Sequence, residues 1–141
     1  MGKINVGRLI LGGIVAGIVN DILGFGVDGW LLAERWDMAM KMLGKGPLSS
    51  SELILYNVIG FATGFVAVWV YVAIRPRFGS GVKTAIYAGI AAWVLGSLLP
   101  NAGFMYASGL FPRHLTLYTT LGAVVEITVA TIIGAWLYKE E

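Results

Sequence analysis

Leu115–Tyr138 reads LTLYTTLGAVVEITVATIIGAWLY, and Glu126 is its one charged side chain. Twenty-four apolar-dominated residues between Arg113 and Lys139 are long enough to span a bilayer as a helix. A carboxylate near the centre of such a span costs about 2.5–3.5 kcal/mol to insert. A partner, a proton or a cavity must offset that cost. A second acid, Asp21, lies at similar depth in the first apolar run.

Outward from this segment, three more runs of similar length appear. The expected spans are 6–30, 53–74, 82–99 and 115–138, each close to the ~20 residues that cross the hydrocarbon core. The whole chain reads as one transmembrane domain, residues 1–141. It is 57% hydrophobic and 13% charged, with a mean hydropathy of +0.79. Soluble domains carry roughly 25% charged residues, so most of this surface is expected to face lipid. The predicted fold class is all-α: an integral membrane four-helix bundle with a short interfacial amphipathic helix after the first span.

That surface helix is expected over 30–43. Leu32, Trp36, Ala39, Met40 and Leu43 recur at spacings of three and four, with Glu34, Arg35, Asp37 and Lys41 largely opposite. Such a helix lies along a membrane surface. Gly44 and Gly46-Pro47 mark its stop. Ser49 with Glu52 three residues on forms a capping box for the second span. The third connection, Pro100 to His114, reads as an interfacial loop with aromatics at headgroup level.

Lys3, Arg8, Arg75, Arg77, Lys83 and Lys139 fall on one side of the expected membrane. Arg35, Lys41, Lys45 and Arg113 fall on the other. Six against four places both termini in the cytoplasm. The compact Arg75-Pro76-Arg77 turn carries much of that signal. Arg75, Arg77 and Lys83 are expected to touch anionic lipid headgroups.

Several chemistries are excluded. There is no cysteine, hence no disulfide, thiolate metal site or iron–sulfur cluster. His114 is the single histidine, a poor basis for a metal site or a two-histidine haem. The net charge of +2, without a basic run, argues against nucleic acid. No GxSxG, HExxH or phosphate-loop signature occurs. Asp28, Glu34, Arg35, Asp37 and His114 are the only polar cluster a membrane enzyme would have, and ordinary interfacial residues explain them. No enzyme activity and no cofactor are predicted; a bound lipid or pigment is compatible with the pattern.

Two small-residue stripes carry the remaining signal. Gly13, Gly17, Asp21, Gly24 and Asp28 step by four, four, three and four. In the last span Thr119, Ala123, Glu126 and Ala130 share a face, with Gly122 beside them. Small stripes mark helix–helix interfaces in lipid, so Gly13, Gly17, Gly24, Gly122, Ala123 and Ala130 are expected packing residues. The simplest packing sets the stripes together. Asp21 then lies ~22 Å and Glu126 ~18 Å from the inner ends of their spans, which predicts neighbours within the bundle. Cysteines at Gly17 and Ala130 should then crosslink. Asp21, Glu126, Asn20 and Asn57 are the candidate intramembrane polar site. Two nearby carboxylates in an apolar site cannot both ionise cheaply and can share a proton.

Gly12-Gly13, Leu31-Leu32-Ala33-Glu34-Arg35-Trp36, Ala73-Ile74-Arg75-Pro76-Arg77-Phe78-Gly79 and Gly134-Ala135-Trp136-Leu137-Tyr138 together resemble small bacterial four-span membrane proteins of uncharacterised function. The resemblance covers nearly the whole chain. It implies a bacterial inner-membrane protein and lends no activity. In size and span count the chain is also similar to the small multidrug-resistance exporters. Their first-span acid sits in a different local pattern from Asn20-Asp21, so their function does not carry over. The expected function is an accessory or structural subunit packed against other membrane proteins or itself. The alternative is a homo-oligomeric proton- or cation-coupled transporter or channel using the intramembrane carboxylates.

Overall fold

The computed structural model describes residues 3–139, and no strand occurs among them. Helix α1 (Val6–Gly24) runs on as wider π-helical turns over Phe25–Leu31. α2 (Ala33–Met42) follows. α3 (Ser50–Phe78) is the longest helix. α4 (Val82–Trp93) continues through π turns at Val94–Leu98 and Asn101–Ala107. α5 (Arg113–Leu137) closes the chain. Four units, Val6–Leu31, Ser50–Phe78, Val82–Ala107 and Arg113–Leu137, are long and apolar enough to cross a membrane.

Local chemistry sets the helix ends. Asn5 caps α1 by accepting from the Arg8 N–H. At α3 the capping box forms in both directions: Ser49 Oγ accepts from Glu52 N–H, and Glu52 accepts from Ser49 N–H at 2.8 Å. α2 ends before Gly44, whose φ of +70° an L side chain rarely adopts.

The second and third spans outrun expectation. Expected to end at 74, α3 continues to Phe78, so Arg75-Pro76-Arg77 is its last turn and not a loop. Proline forfeits its own hydrogen bond to the turn before it, and only Arg77 and Phe78 follow it in the helix. The reversal is made instead by Gly79 and Gly81, at φ +83° and +127°. The third span was expected to stop at 99, with an interfacial loop after it. In the structure the helix passes Pro100 and ends at Ala107. Just before the proline the winding has already widened: Leu99 N–H reaches back five residues to Val94 O. The first span widens in the same manner, with Leu32 N–H bonded to Val27 O at 2.8 Å. This extension through Leu31 leaves α2 only Ala33–Met42 of the expected 30–43.

α1 packs against α3 and α5, and α4 packs against the same two helices. Glycines allow the backbones to approach. A Cβ added at Gly12 would sit 2.5 Å from Gly134 O, and one at Gly134 would sit 2.5 Å from Gly12 O. At Gly89 a Cβ would sit 2.8 Å from Thr128 Cα. Small side chains fill the interior: Ala16, Ala67, Ala88 and Ala130 are fully buried. Large apolar side chains point outward, Trp136 at 81% exposure among them. An apolar exterior over a small-residue interior is the pattern of helices associating in lipid, where close packing and not apolar burial drives contact.

Candidate functional site

Glu126 is 7% exposed, on the α1-facing side of α5. A Cβ on Gly24 would lie 3.4 Å from Glu126 Oε2, and one on Gly122 would lie 3.2 Å from Oε1. The two glycines therefore make the room this carboxyl occupies. Oε1 is buried without a hydrogen-bond partner. Leaving a buried acceptor unpaired costs about 1–3 kcal/mol. Asp28 is close enough to interact electrostatically with Glu126.

Asp28 itself is well satisfied. Its Oδ1 accepts from Thr119 Oγ1 at 2.8 Å and from Trp36 Nε1 at 3.0 Å. One carboxylate oxygen thus ties the π-helical end of α1 to α5 and to α2. Trp36 also meets Phe111 edge-to-face at 5.6 Å. Leu32 and Ala39 pack with Leu115 beneath α2. The apolar face of α2 is accordingly spent on the end of α5.

Asp21 occupies a different place. It lines an open groove of about 350 Å³ with Ile54, Asn57, Val58 and Phe61, between α1 and α3. Gly60 makes space for it, since a Cβ there would collide with Asp21 Oδ1. Next to it, Asn20 is 7% exposed. Its Nδ2 donates to Gly60 O at 2.9 Å, while its Oδ1 is buried without a partner. Asn57 is exposed and donates to Leu53 O, four residues back, at 2.8 Å.

The candidate polar residues therefore divide into two groups. Asn20, Asp21 and Asn57 gather where α1 meets α3; Glu126 lies where α1 meets α5. Their levels match well: Gly24, beside Glu126, is three residues from Asp21, or ~4.5 Å along the axis. Rotation separates them, because three residues turn an α-helix ~60° short of a full revolution. The small-residue stripe splits in the same way. Gly13 and Gly17 face the rings of Phe65 and Phe61 on α3, while Gly24 faces α5. Ala130 packs with Ala16 and Val68, and Ala123 against Ala67, Ala92 and Ile127. The Gly12–Gly134 crossing is the tight α1–α5 contact that sequence reasoning missed; both glycines stood in view but fell outside the two acid-bearing stripes.

Of the basic residues expected at headgroups, Arg77 and Lys83 are exposed. Lys83 Nζ stands 5.9 Å from the Tyr87 ring centre. Arg75 is partly buried, with its guanidinium 5.2 Å over the Tyr138 ring. Tyr138 in turn meets Tyr71 edge-to-face at 6.3 Å and accepts from Asn5 N–H at 3.3 Å. This cluster joins the start of α1 to the end of α5. Among the described residues no three His, Asp or Glu side chains gather as metal ligands. Compared with known proteins, the chain matches no family model, no curated protein and no solved structure.

Proposed function

We propose that the protein is a small integral membrane subunit whose four spans form a bundle, with α2 along the membrane surface. It acts as an accessory partner to a larger membrane assembly. The observation that carries this reading is the Asp21 groove. The Asp21 carboxyl, expected at membrane depth, lines an open groove between α1 and α3, beside the exposed Asn57. Polar groups left facing hydrocarbon are costly. A helix of another membrane protein bearing a basic or hydrogen-bond-donating side chain would cover the groove and satisfy Asp21. The basic residues of this chain sit near the helix ends and in the loops, so the donor comes from the partner. The excess of Lys and Arg beside the termini supports both termini in the cytoplasm, in a bacterial inner membrane.

The test is native mass measurement of the protein gently extracted from its own membrane, for wild type and Asp21→Leu. Recovery with another polypeptide that Asp21→Leu releases supports the subunit. Recovery of wild type as an isolated monomer overturns it.

A second reading rests on the buried, unpartnered Oε1 of Glu126 beside Asp28. A homo-oligomer would use this carboxyl to bind and pass a proton or a monovalent cation. Proton flux into liposomes that Glu126→Gln abolishes would favour it. Equal flux in both proteins would remove it.

A further inference from the structure

The widened end of α4 does not close against α5. Trp93 Nε1 donates to Thr120 O at 2.8 Å, and Asn101 Nδ2 donates to Thr120 Oγ1 at 2.9 Å. These bonds tether α4 on both sides of Pro100. Beyond them the π turns of Asn101–Ala107 and the first turns of α5 leave a hollow of about 370 Å³. That volume falls within the ~300–1,000 Å³ of small-molecule sites.

The lining is largely apolar. Leu98, Ala102 and Leu117 make apolar walls. Thr116 and Thr120 also line the hollow, but their hydroxyls donate to Pro112 O and Thr116 O of their own helix. Tyr106, Arg113 and His114 complete the lining. Arg113 lies 5.2 Å over the Tyr106 ring, and among the described residues no ion pair engages its N–H groups. His114 in turn meets the Tyr118 ring at 6.4 Å, and Arg35 stands 5.1 Å over that ring, outside the hollow. Among the described residues the one ion pair is Lys41 with Asp37. Arg113 therefore lines the hollow without a carboxylate to neutralise it.

The geometry points to a binding site for an anionic phosphate head group here, with Arg113 as the principal donor and Leu98, Ala102 and Leu117 receiving the apolar portion attached to it. An arginine edge matches phosphate oxygens bidentately. An uncompensated guanidinium favours an anionic head over a zwitterionic one. The site is separate from the Asp21 groove and from Glu126, and it does not depend on either functional reading.

Native mass spectrometry of the detergent-purified protein tests it, with phosphatidylglycerol, phosphatidylcholine of the same chains, and inorganic phosphate as probes. Wild type should retain one phosphatidylglycerol about tenfold more strongly than phosphatidylcholine. Arg113→Gln should lower that retention about tenfold, the usual scale for a lost charge-assisted bond. Lys45→Gln removes the same charge from an exposed loop and should leave retention unchanged. Ala102→Phe fills the hollow without altering charge and should also expel the lipid. Inorganic phosphate held as tightly as the lipid would make the free anion the ligand of this site; retention of the lipid alone would make it a lipid site. Equal retention of both lipids with no phosphate bound, or equal losses in Arg113→Gln and Lys45→Gln, would overturn the assignment.

Discussion

Replacing Gly134 with alanine is the sharpest test of how this chain is held together. The new Cβ would stand 2.5 Å from Gly12 O, 2.5 Å from Val68 Cγ2 and 2.8 Å from Ala16 Cβ. Ordinary contact begins at 3.4 Å, so α5 must retreat from α1 by roughly 0.9 Å. Two of the three obstacles can yield little: one is a backbone oxygen and one is a Cβ. Overpacking of this kind costs about 1–3 kcal/mol. Alanine recovers about 0.5–1 kcal/mol through its better helix propensity. A net loss of about 1–2 kcal/mol is expected for Gly134→Ala, read as a lower unfolding midpoint by tryptophan fluorescence in mild detergent with added denaturing detergent. Gly103→Ala is the control: a Cβ there meets nothing within 4 Å, so that variant should be unchanged or slightly more stable. Gly13→Ala should fall between them, because its obstacle is the Phe65 ring, which can rotate. Gly134→Ala as stable as Gly103→Ala would refute the close crossing of α1 and α5.

Three further outcomes are expected. Trp36→Phe removes one hydrogen bond to Asp28 and should cost about 0.5–1.5 kcal/mol, with faster proteolysis in the loop after α2; a double-mutant cycle with Thr119→Val should show coupling, and strict additivity would mean the Asp28 junction does not act as a unit. Ala16→Cys combined with Ala130→Cys should crosslink under mild oxidation in this otherwise cysteine-free chain, whereas Gly17→Cys with Ala130→Cys should not; the opposite result would restore the packing in which Gly17 faces α5. Glu126→Met keeps the volume and removes a buried unpaired acceptor, so unfolding should show stability unchanged or raised by about 1–3 kcal/mol; clear destabilisation would reveal that a proton-linked or cation contact holds this carboxyl in the membrane.

Much of the architecture was legible because spanning helices announce themselves by length and composition. The Ser49–Glu52 box and the glycine stop at Gly44 were equally plain, since both rest on local hydrogen bonding and local φ. What escaped was continuation through proline. Pro76 and Pro100 both read as stops; one lies in a final turn, and the other sits where the backbone has already changed its winding. No residue pattern signals that change. The polar site was half legible. Asp21 and Glu126 stood out as deep acids, and their matching levels followed from simple counting along each helix. Which neighbour each acid faces depends on a rotation of ~60° and on which helices are adjacent, and the chain order alone does not fix either. Asp28, Thr119 and Trp36 each appeared on an expected face, yet their convergence needed α2 folded back over α5.

Gly12 and Gly134 make this molecule asymmetric along its length. Near the termini the two backbones touch and cannot slide or tilt without collision. Sixteen residues further on, α1 is wound in looser π turns and is joined to α5 by the Thr119–Asp28 hydrogen bond. The glycine crossing is therefore a fixed point, and Asp28 lies ~24 Å along the helix from it. A bend of about 5° would displace Asp28 by roughly 2 Å, enough to release Thr119 and Trp36 together. An opening at the far end, beside Glu126, would thus need only a slight bend of α1 between the two.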